Sequence, residues 1–250
     1  MKVVILAGGK GARLRPYTHV LPKPLIPVDR YPVLEIIIRQ LAINGFKDIT
    51  ISTGYMSEII ESFCGRGKKF GVKINYSREE KPLGTAGSLE TLRDQLKSTF
   101  MVLNGDVLVG IDFRDFINSH RAQKATVTMG LKKRRTEIAL GVIKMNKRMR
   151  ILDYSEKPVE EYNASVGIQL MEPDVLDYIK PGKYLDMPDL IMRLVKSGKK
   201  VQGYMINNLW LHLGRPDDFE DANENWRTIV KELRLEDALN NHAQNEPSSQ

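Results

Sequence analysis

The sequence predicts an α/β fold, a doubly wound and mostly parallel sheet joined to an antiparallel region, and three observations carry that prediction. Apolar runs such as Val3-Val4-Ile5-Leu6 are too short for helices and read as buried strands. Between them lie stretches with apolar residues at helical spacing, Leu34, Ile37, Ile38 and Leu41 among them. Strands that alternate with helices at this pace form parallel sheets. The second half instead offers several strand candidates in succession, which is the antiparallel pattern.

The elements follow in order. Val3 to Leu6 is the first strand, and Val33 to Asn44 a helix closed by Asn44-Gly45, a C-terminal cap. Ile49 to Thr53 is the second strand, and Ser57 opens a helix through Phe63. Val72 to Tyr76 is the third strand, Ser88 to Leu96 a helix, and Phe100 to Leu103 the fourth strand, ending at Asn104-Gly105-Asp106. Ala125 to Leu131, Gly141 to Met145, Ile151 to Tyr154 and Ser165 to Met171 read as antiparallel strands. A helix from Met187 to Ser197 comes next, then strands Val201 to Ile206 and Leu209 to Leu213, and Asp217 to Trp226 begins a final helix. Residues 1–226 are expected to form one domain, with a helix and a disordered polar tail in 227–250, the tail running from Asn240.

Bulk properties narrow the class. A chain of 250 residues, 42% hydrophobic, can bury one substantial core. There is no signal-peptide pattern and no apolar run near the ~20 residues that span a bilayer. The single cysteine, Cys64, excludes an intrachain disulfide, and a cytoplasmic location is expected. The net charge of +7 suits an anionic partner. Its one dense basic run, Lys132-Lys133-Arg134-Arg135, reads as a solvated hairpin tip between strands, and no aromatic interleaving or zinc-finger spacing supports nucleic-acid binding.

The most informative segment follows the first strand: Leu6-Ala7-Gly8-Gly9-Lys10-Gly11-Ala12-Arg13-Leu14-Arg15-Pro16, then Pro22-Lys23-Pro24. Glycines allow a sharp turn and bring bare N–H groups against phosphate oxygens, and Arg13 and Lys23 add positive charge. The segment lacks the Gly-Lys-Ser/Thr ending of a P-loop and does not fit GxGxxG. Asp106 lies at the carboxyl end of a strand, where open α/β sheets bind ligands, and its carboxylate suits Mg²⁺. An Asx turn ending the strand is the alternative for Asp106.

Taken together, the glycine segment with Arg13, Pro16, Thr18, Pro22, Lys23 and Pro24 resembles the signature GGxGxRLxPxTxxxPKP of the sugar-nucleotide pyrophosphorylases, with Ala12 where threonine or serine is usual and a changed linker from His19 to Leu21. The resemblance extends over residues 1 to 226 and is nearest to guanylyltransferases acting on mannose-, heptose- or glucosamine-1-phosphate. It implies a Rossmann-like, glycosyltransferase-A-like fold. It also implies transfer of a nucleotide from a nucleoside triphosphate to a sugar 1-phosphate with release of pyrophosphate, in the service of cell-surface glycans. Arg13, Lys23 and Asp106 would be catalytic, with Asp106 on the metal. Leu6, Ala7, Gly8, Gly9 and Gly11 would meet the nucleotide.

Glu80-Lys81-Pro82-Leu83-Gly84-Thr85-Ala86-Gly87 resembles the family's base-recognition loop, which assigns Gly84 and Thr85 to the nucleotide. Glu79, just ahead, aligns where thymidylyl and uridylyl members often carry glutamine. A carboxylate only accepts hydrogen bonds, and guanine offers two adjacent donors, so the reading favours GTP. A solvated strand-end charge is the competing reading of Glu79, and UTP or dTTP the competing substrates. Glu156-Lys157-Pro158 resembles the family's EKP motif in the sugar-phosphate site, where Gly141 and Gly167 also belong, with Ser165 in place of a usual asparagine.

The segment Trp210-Leu211-His212-Leu213-Gly214-Arg215-Pro216 resembles W-x-D-I-G-x-P, with His212 where an aspartate usually supplies a second metal ligand. Imidazole suits Mn²⁺ or Zn²⁺ better than Mg²⁺. His212 thus leaves open a site that works with Asp106, waters and substrate oxygens alone, one that accepts another metal, or a regulatory subunit that binds nucleotide sugars with weakened chemistry. Asp217 and Asp218 are expected to cap the helix they begin. The resemblance leaves a homo-oligomer open.

Overall fold

The computed structural model describes residues 1–243. Its centre is a seven-stranded sheet built from β1 (Lys2–Leu6), β2 (Asp48–Thr53), β3 (Lys73–Arg78), β4 (Phe100–Asn104), β6 (Val127–Glu137), β9 (Val159–Met171) and β10 (Val201–Met205). The spatial order is β10-β6-β9-β4-β1-β2-β3. β1 pairs in parallel with both β2 and β4, β2 with β3, and β10 with β6, whereas β9 runs antiparallel to β4 and β6. Three smaller strand pairs stand beside the sheet. β5 (Val107–Val109) pairs with β11 (Trp210–His212), β7 (Val142–Met145) forms a hairpin with β8 (Ile151–Ser155), and a two-residue pair joins Pro27–Val28 to Tyr31–Pro32.

The apolar residues of the central strands alternate between two buried layers, because successive side chains of a strand point to opposite faces. Val3 and Ile5 of β1, with Met101 and Leu103 of β4, pack on the face covered by α1 (Val33–Ile43), α2 (Ser57–Cys64) and α3 (Phe113–Gln123). Val4, Phe100 and Val102 pack on the other face, against α4 (Met187–Lys196) and the segment carrying Ala86, Leu89, Leu92 and Leu96. Both faces of the parallel strands are therefore dry, which is why β1 reads as an unbroken apolar run. Ile229, Leu233, Leu235 and Leu239, from α6 (Trp226–Glu232) to α7 (Glu236–Ala243), join the first layer behind α5 (Pro216–Glu224).

Several expectations are corrected here. The basic run Lys132–Arg135 is not a hairpin tip but the middle of β6, paired residue by residue with Tyr162 to Ala164 and Glu161 of β9. Glu161 accepts ion pairs from Lys133 at 2.7 Å and Arg135 at 3.4 Å, so the charge run is partly answered across the ladder. The helix expected over Ser88 to Leu96 is a single α-turn at Gly84–Gly87 followed by a 3₁₀ segment at Ser88–Leu92. The final helix is three helices, and α7 takes in the first four residues of the stretch expected to be disordered; the rest of that stretch lies outside the described residues. Strand β5 and helix α3 had no sequence reading at all.

Candidate active site

The glycine segment turns sharply off the end of β1. Gly11 sits at φ +60°, and a Cβ there would stand 2.9 Å from Thr18 Cγ2 and 3.0 Å from Lys23 Cβ, so a side chain is excluded by backbone and by space. The Gly11 carbonyl accepts from the Leu14 amide at 2.9 Å and from the buried Thr18 hydroxyl at 3.0 Å, which explains why the motif needs threonine there. The Gly8 carbonyl accepts from Tyr55 N–H at 3.3 Å, and a Cβ on Gly54 would meet that carbonyl at 3.1 Å. A side chain on Gly9 would face open space. The turn is thus pinned at both shoulders and open at its crest.

Beside this crest lies a cavity of about 330 Å³, floored by the carboxyl ends of three adjacent parallel strands at Leu6, Ser52 and Asn104. Of the residues expected at the site, Leu6, Ala7, Gly8, Gly9, Lys23, Glu79, Gly84, Thr85 and Asp106 line it. The convergence of Lys23 and Asp106 is direct: the Lys23 ammonium and Asp106 Oδ2 form a short ion pair, with both side chains largely out of solvent. Arg13 lies exposed on a 3₁₀ turn, Ala12–Leu14, outside the cavity lining.

Asp106 is held from both sides of the chain. β5 and β11 pair His212 with Val107, and the Leu213 amide donates to the Asp106 carbonyl at 2.9 Å, so His212 Nε2 stands 3.5 Å from Asp106 Oδ2. A Cβ on Gly214 would lie 2.6 Å from His212 Cε1; the glycine makes room for the ring. Burial pushes the Asp106 carboxyl up, but His212 and Lys23 together hold it below the ordinary carboxylate range. Oδ1 of the same carboxylate is buried and has no hydrogen-bond partner. An ionised oxygen left bare inside a protein is costly, and a cation satisfies it.

A divalent ion would satisfy that oxygen. Among the described residues no group of three or more His, Cys, Asp or Glu is placed to hold a metal, so an ion on Asp106, with His212 as its neighbour, would need phosphate oxygens and water to complete its shell.

Glu79 does more than line the wall. Its Oε1 accepts from Ser52 Oγ at 3.3 Å and its Oε2 from the Leu83 amide at 2.8 Å, so it ties the loop 80–87 to β2. Each oxygen keeps a free lone pair. Gly84, at φ +79°, and Gly87 pack so closely on the 183–187 segment that a Cβ would meet Leu185 O at 2.5 Å and Lys183 O at 2.8 Å.

The sugar-phosphate candidates divide. Gly167, at φ +78°, occupies a register shift in β9, and a Cβ there would stand 2.8 Å from the Asn104 amide nitrogen on the cavity floor. Gly141, Glu156 and Lys157 are exposed at the β7–β8 hairpin and do not line the cavity. Gly141 and Glu156 meet through Tyr154, whose hydroxyl donates to Glu156 Oε2 at 2.8 Å and leaves no room for a Cβ on Gly141. Asp218, as expected, accepts the Gly214 and Arg215 amides at 2.8 and 2.7 Å and so caps α5.

Sequence reasoning missed Tyr184 and Asp186, which also line the cavity. The signal was an aspartate immediately before a helix with Pro at its start, in Tyr184-Leu185-Asp186-Met187-Pro188. Cys64 is buried, and burial pushes its thiol up to about 12, which leaves it a structural residue. Among the described residues no helix is long and apolar enough to cross a membrane.

Comparison with known proteins agrees with this geometry. The chain is 36% identical over 241 residues to a UTP–glucose-1-phosphate uridylyltransferase from Synechocystis sp., a match covering 89% of this chain and 62% of that protein. It is 30% identical over 224 residues to the D-glycero-alpha-D-manno-heptose 1-phosphate guanylyltransferase of Aneurinibacillus thermoaerophilus, covering 89% and 96%. In three dimensions it matches a Bacillus anthracis protein assigned as a glucose-1-phosphate thymidylyltransferase, crystallised with sucrose, at a TM-score of 0.73 and 30% identity over 91% of this chain and 95% of that one. Because the nucleotidyl transferase family model matches residues 2–228, and relatives are 30% or more identical over most of its length, the chain belongs to the nucleotidyl transferase family.

Proposed function

We propose that the protein transfers a nucleoside monophosphate from a nucleoside triphosphate to a sugar 1-phosphate and releases pyrophosphate. The observation that carries this reading is the meeting of Lys23, Asp106 and His212 beside the open glycine turn. An oxygen of the sugar phosphate attacks the α-phosphorus, the bond to the bridging β-oxygen breaks, and pyrophosphate departs in line. The nucleophile is anionic near neutral pH, so no general base is needed, and positioning with charge neutralisation carries the rate.

Lys23 contacts the phosphates, and Arg13 swings from its exposed turn onto the leaving pyrophosphate. Asp106 orients Lys23 and presents Oδ1. Asp106 and His212 would hold a divalent cation, Mg²⁺ or with His212 more readily Mn²⁺, which when bound would further neutralise the phosphate oxygens. Gly141, Glu156, Lys157 and Gly167 hold the sugar phosphate, which requires the β7–β8 hairpin to reach the cavity mouth. Leu6 through Gly9, with Gly11, Glu79, Gly84 and Thr85, hold the nucleotide.

GTP is the favoured donor. The free lone pairs of Glu79 can accept from N1–H and the exocyclic amine of guanine, while a uracil or thymine edge offers one donor. The uridylyl- and thymidylyl-transferring relatives make UTP and dTTP the alternatives. The test is pyrophosphate release with GTP, UTP, dTTP and CTP against mannose, heptose, glucosamine and glucose 1-phosphates. GTP should give the highest kcat/KM, and release with no pairing would refute the reaction. Arg13→Ala should lower turnover about a hundredfold, the scale of losing one stabilising charge.

A further inference from the structure

We propose that Tyr184 is the wall on which the nucleobase of the triphosphate stacks, and that Asp186 holds it there. The proposal rests on the nucleotidyl-transfer reading above and names a binding contact for the nucleobase from the second half of the chain. Tyr184 lines the cavity, yet the residue is 62% exposed, so a large aromatic face stands at the cavity with no ring of the described residues stacked on it. Its hydroxyl donates to Asp186 Oδ2 at 2.7 Å. The other oxygen of Asp186 accepts from the Thr85 amide at 3.1 Å and the Thr85 hydroxyl at 3.3 Å.

These bonds belong to a zipper between two distant segments. The Leu185 amide donates to Leu83 O at 2.8 Å, the Ala86 and Gly87 amides donate to Leu185 O at 3.0 and 2.9 Å, and the Met187 amide donates to Thr85 Oγ1 at 2.7 Å. Every group that fixes Tyr184 therefore also fixes the loop carrying Gly84 and Thr85. The lining divides chemically. Lys23, Asn104 and Asp106 bring charge and polarity to the lining, and Leu6, Pro82, Gly84 and Tyr184 bring apolar surface that a flat ring can lie against, with Glu79, Thr85 and Asp186 as polar groups beside it. A tyrosine ring held by its hydroxyl loses little freedom on stacking, and a base stacked on an aromatic gains about 1–3 kcal/mol, roughly 5- to 150-fold in affinity.

The experiment measures equilibrium binding of GTP and of UTP without sugar phosphate, and the KM of each substrate separately, for the wild-type chain and three variants. Tyr184→Ala should weaken triphosphate binding about tenfold or more and leave the sugar-phosphate KM within twofold. Tyr184→Phe, which keeps the ring, should restore most of that binding. Asp186→Ala should raise the triphosphate KM in the same direction by a smaller factor, because it frees the ring without removing it. Unchanged triphosphate binding in Tyr184→Ala, or a change confined to the sugar-phosphate KM, would overturn the assignment while the reaction stands. A wild-type chain that binds no triphosphate would overturn both.

Discussion

Gly84→Ala should be among the most damaging single-atom-scale changes near the cavity, and its cost can be worked from position. The residue sits at φ +79°, where an L side chain costs about 1–2 kcal/mol. The new Cβ would stand 2.5 Å from Leu185 O, 2.9 Å from Leu185 C and 3.0 Å from Asp186 Oδ1. Two of these are backbone atoms in the zipper, so relief requires the segments to part. Parting loses the two hydrogen bonds that Ala86 and Gly87 donate to Leu185 O, each worth about 1 kcal/mol net.

The total is about 3–4 kcal/mol. Gly45→Ala is the control: φ is +85° but nothing lies within 4 Å of the added Cβ, so only the conformational 1–2 kcal/mol applies. Urea unfolding of both variants and wild type, with m-values compared, measures the difference. Equal losses in the two variants would refute the claim that contact with Leu185, rather than backbone conformation, demands glycine at 84.

Other consequences follow from single contacts. His212→Asp would set a second carboxylate beside Asp106, so the variant should lose thermal stability without divalent ions and regain more than wild type when Mg²⁺ is added; an equal response in both would remove position 212 from the metal site. Gly141→Ala should displace the exposed Tyr154 ring and break its bond to Glu156, raising the sugar-phosphate KM severalfold with little change in stability or in the triphosphate KM. Cys64 should resist iodoacetamide at pH 8 until urea unfolds the chain, because burial raises its thiol to about 12. Its linkage has a definite sign: the unfolded thiol ionises first, so between about pH 9 and 12 Cys64 contributes a loss of stability as pH rises, at most about 1.4 kcal/mol per unit, readable as a smaller alkaline loss in Cys64→Ala.

The legible parts of this fold are those where one local rule acts alone. β1 was readable because both its faces are buried, and α1 because its apolar stripe ends at an Asn-Gly cap whose Gly45 adopts φ +85°. The basic run was misread because strand β6 outgrows the core there: with Lys133, Arg134 and Arg135 exposed, no alternation marks the strand, and its pairing shows in distant partners such as Glu161. Helix α3 had signals that went unused, the Asp112 cap accepting the Asp115 amide at 3.0 Å and Phe113, Phe116 and His120 buried on one stripe. Leu89, Leu92 and Leu96 have helical spacing, but a tight 3₁₀ run and turn bury the same three side chains. Of the residues that meet in the cavity, Lys23 and Asp106 were expected from motif and strand end. Tyr184 was not, since its role depends on a partner a hundred residues away, Thr85, through Asp186.

The replacement of a usual aspartate by His212 has a physical consequence for Asp106. A carboxylate at 212 would repel Asp106 until a cation arrived, whereas the imidazole stabilises the ionised form by itself, and Lys23 adds to it on the same oxygen. Oδ2 is therefore satisfied before any ligand binds, and the demand for a cation concentrates on the bare Oδ1. A metal bound there would be held through few protein bonds, and on the proposed function its occupancy would depend on the phosphate oxygens that arrive with the nucleotide. Metal and triphosphate should accordingly bind with positive coupling, each tightening the other by the same factor. Independent binding of Mn²⁺ and GTP, measured by titrating either in the presence of saturating amounts of the other, would show that Oδ1 is not where the two meet.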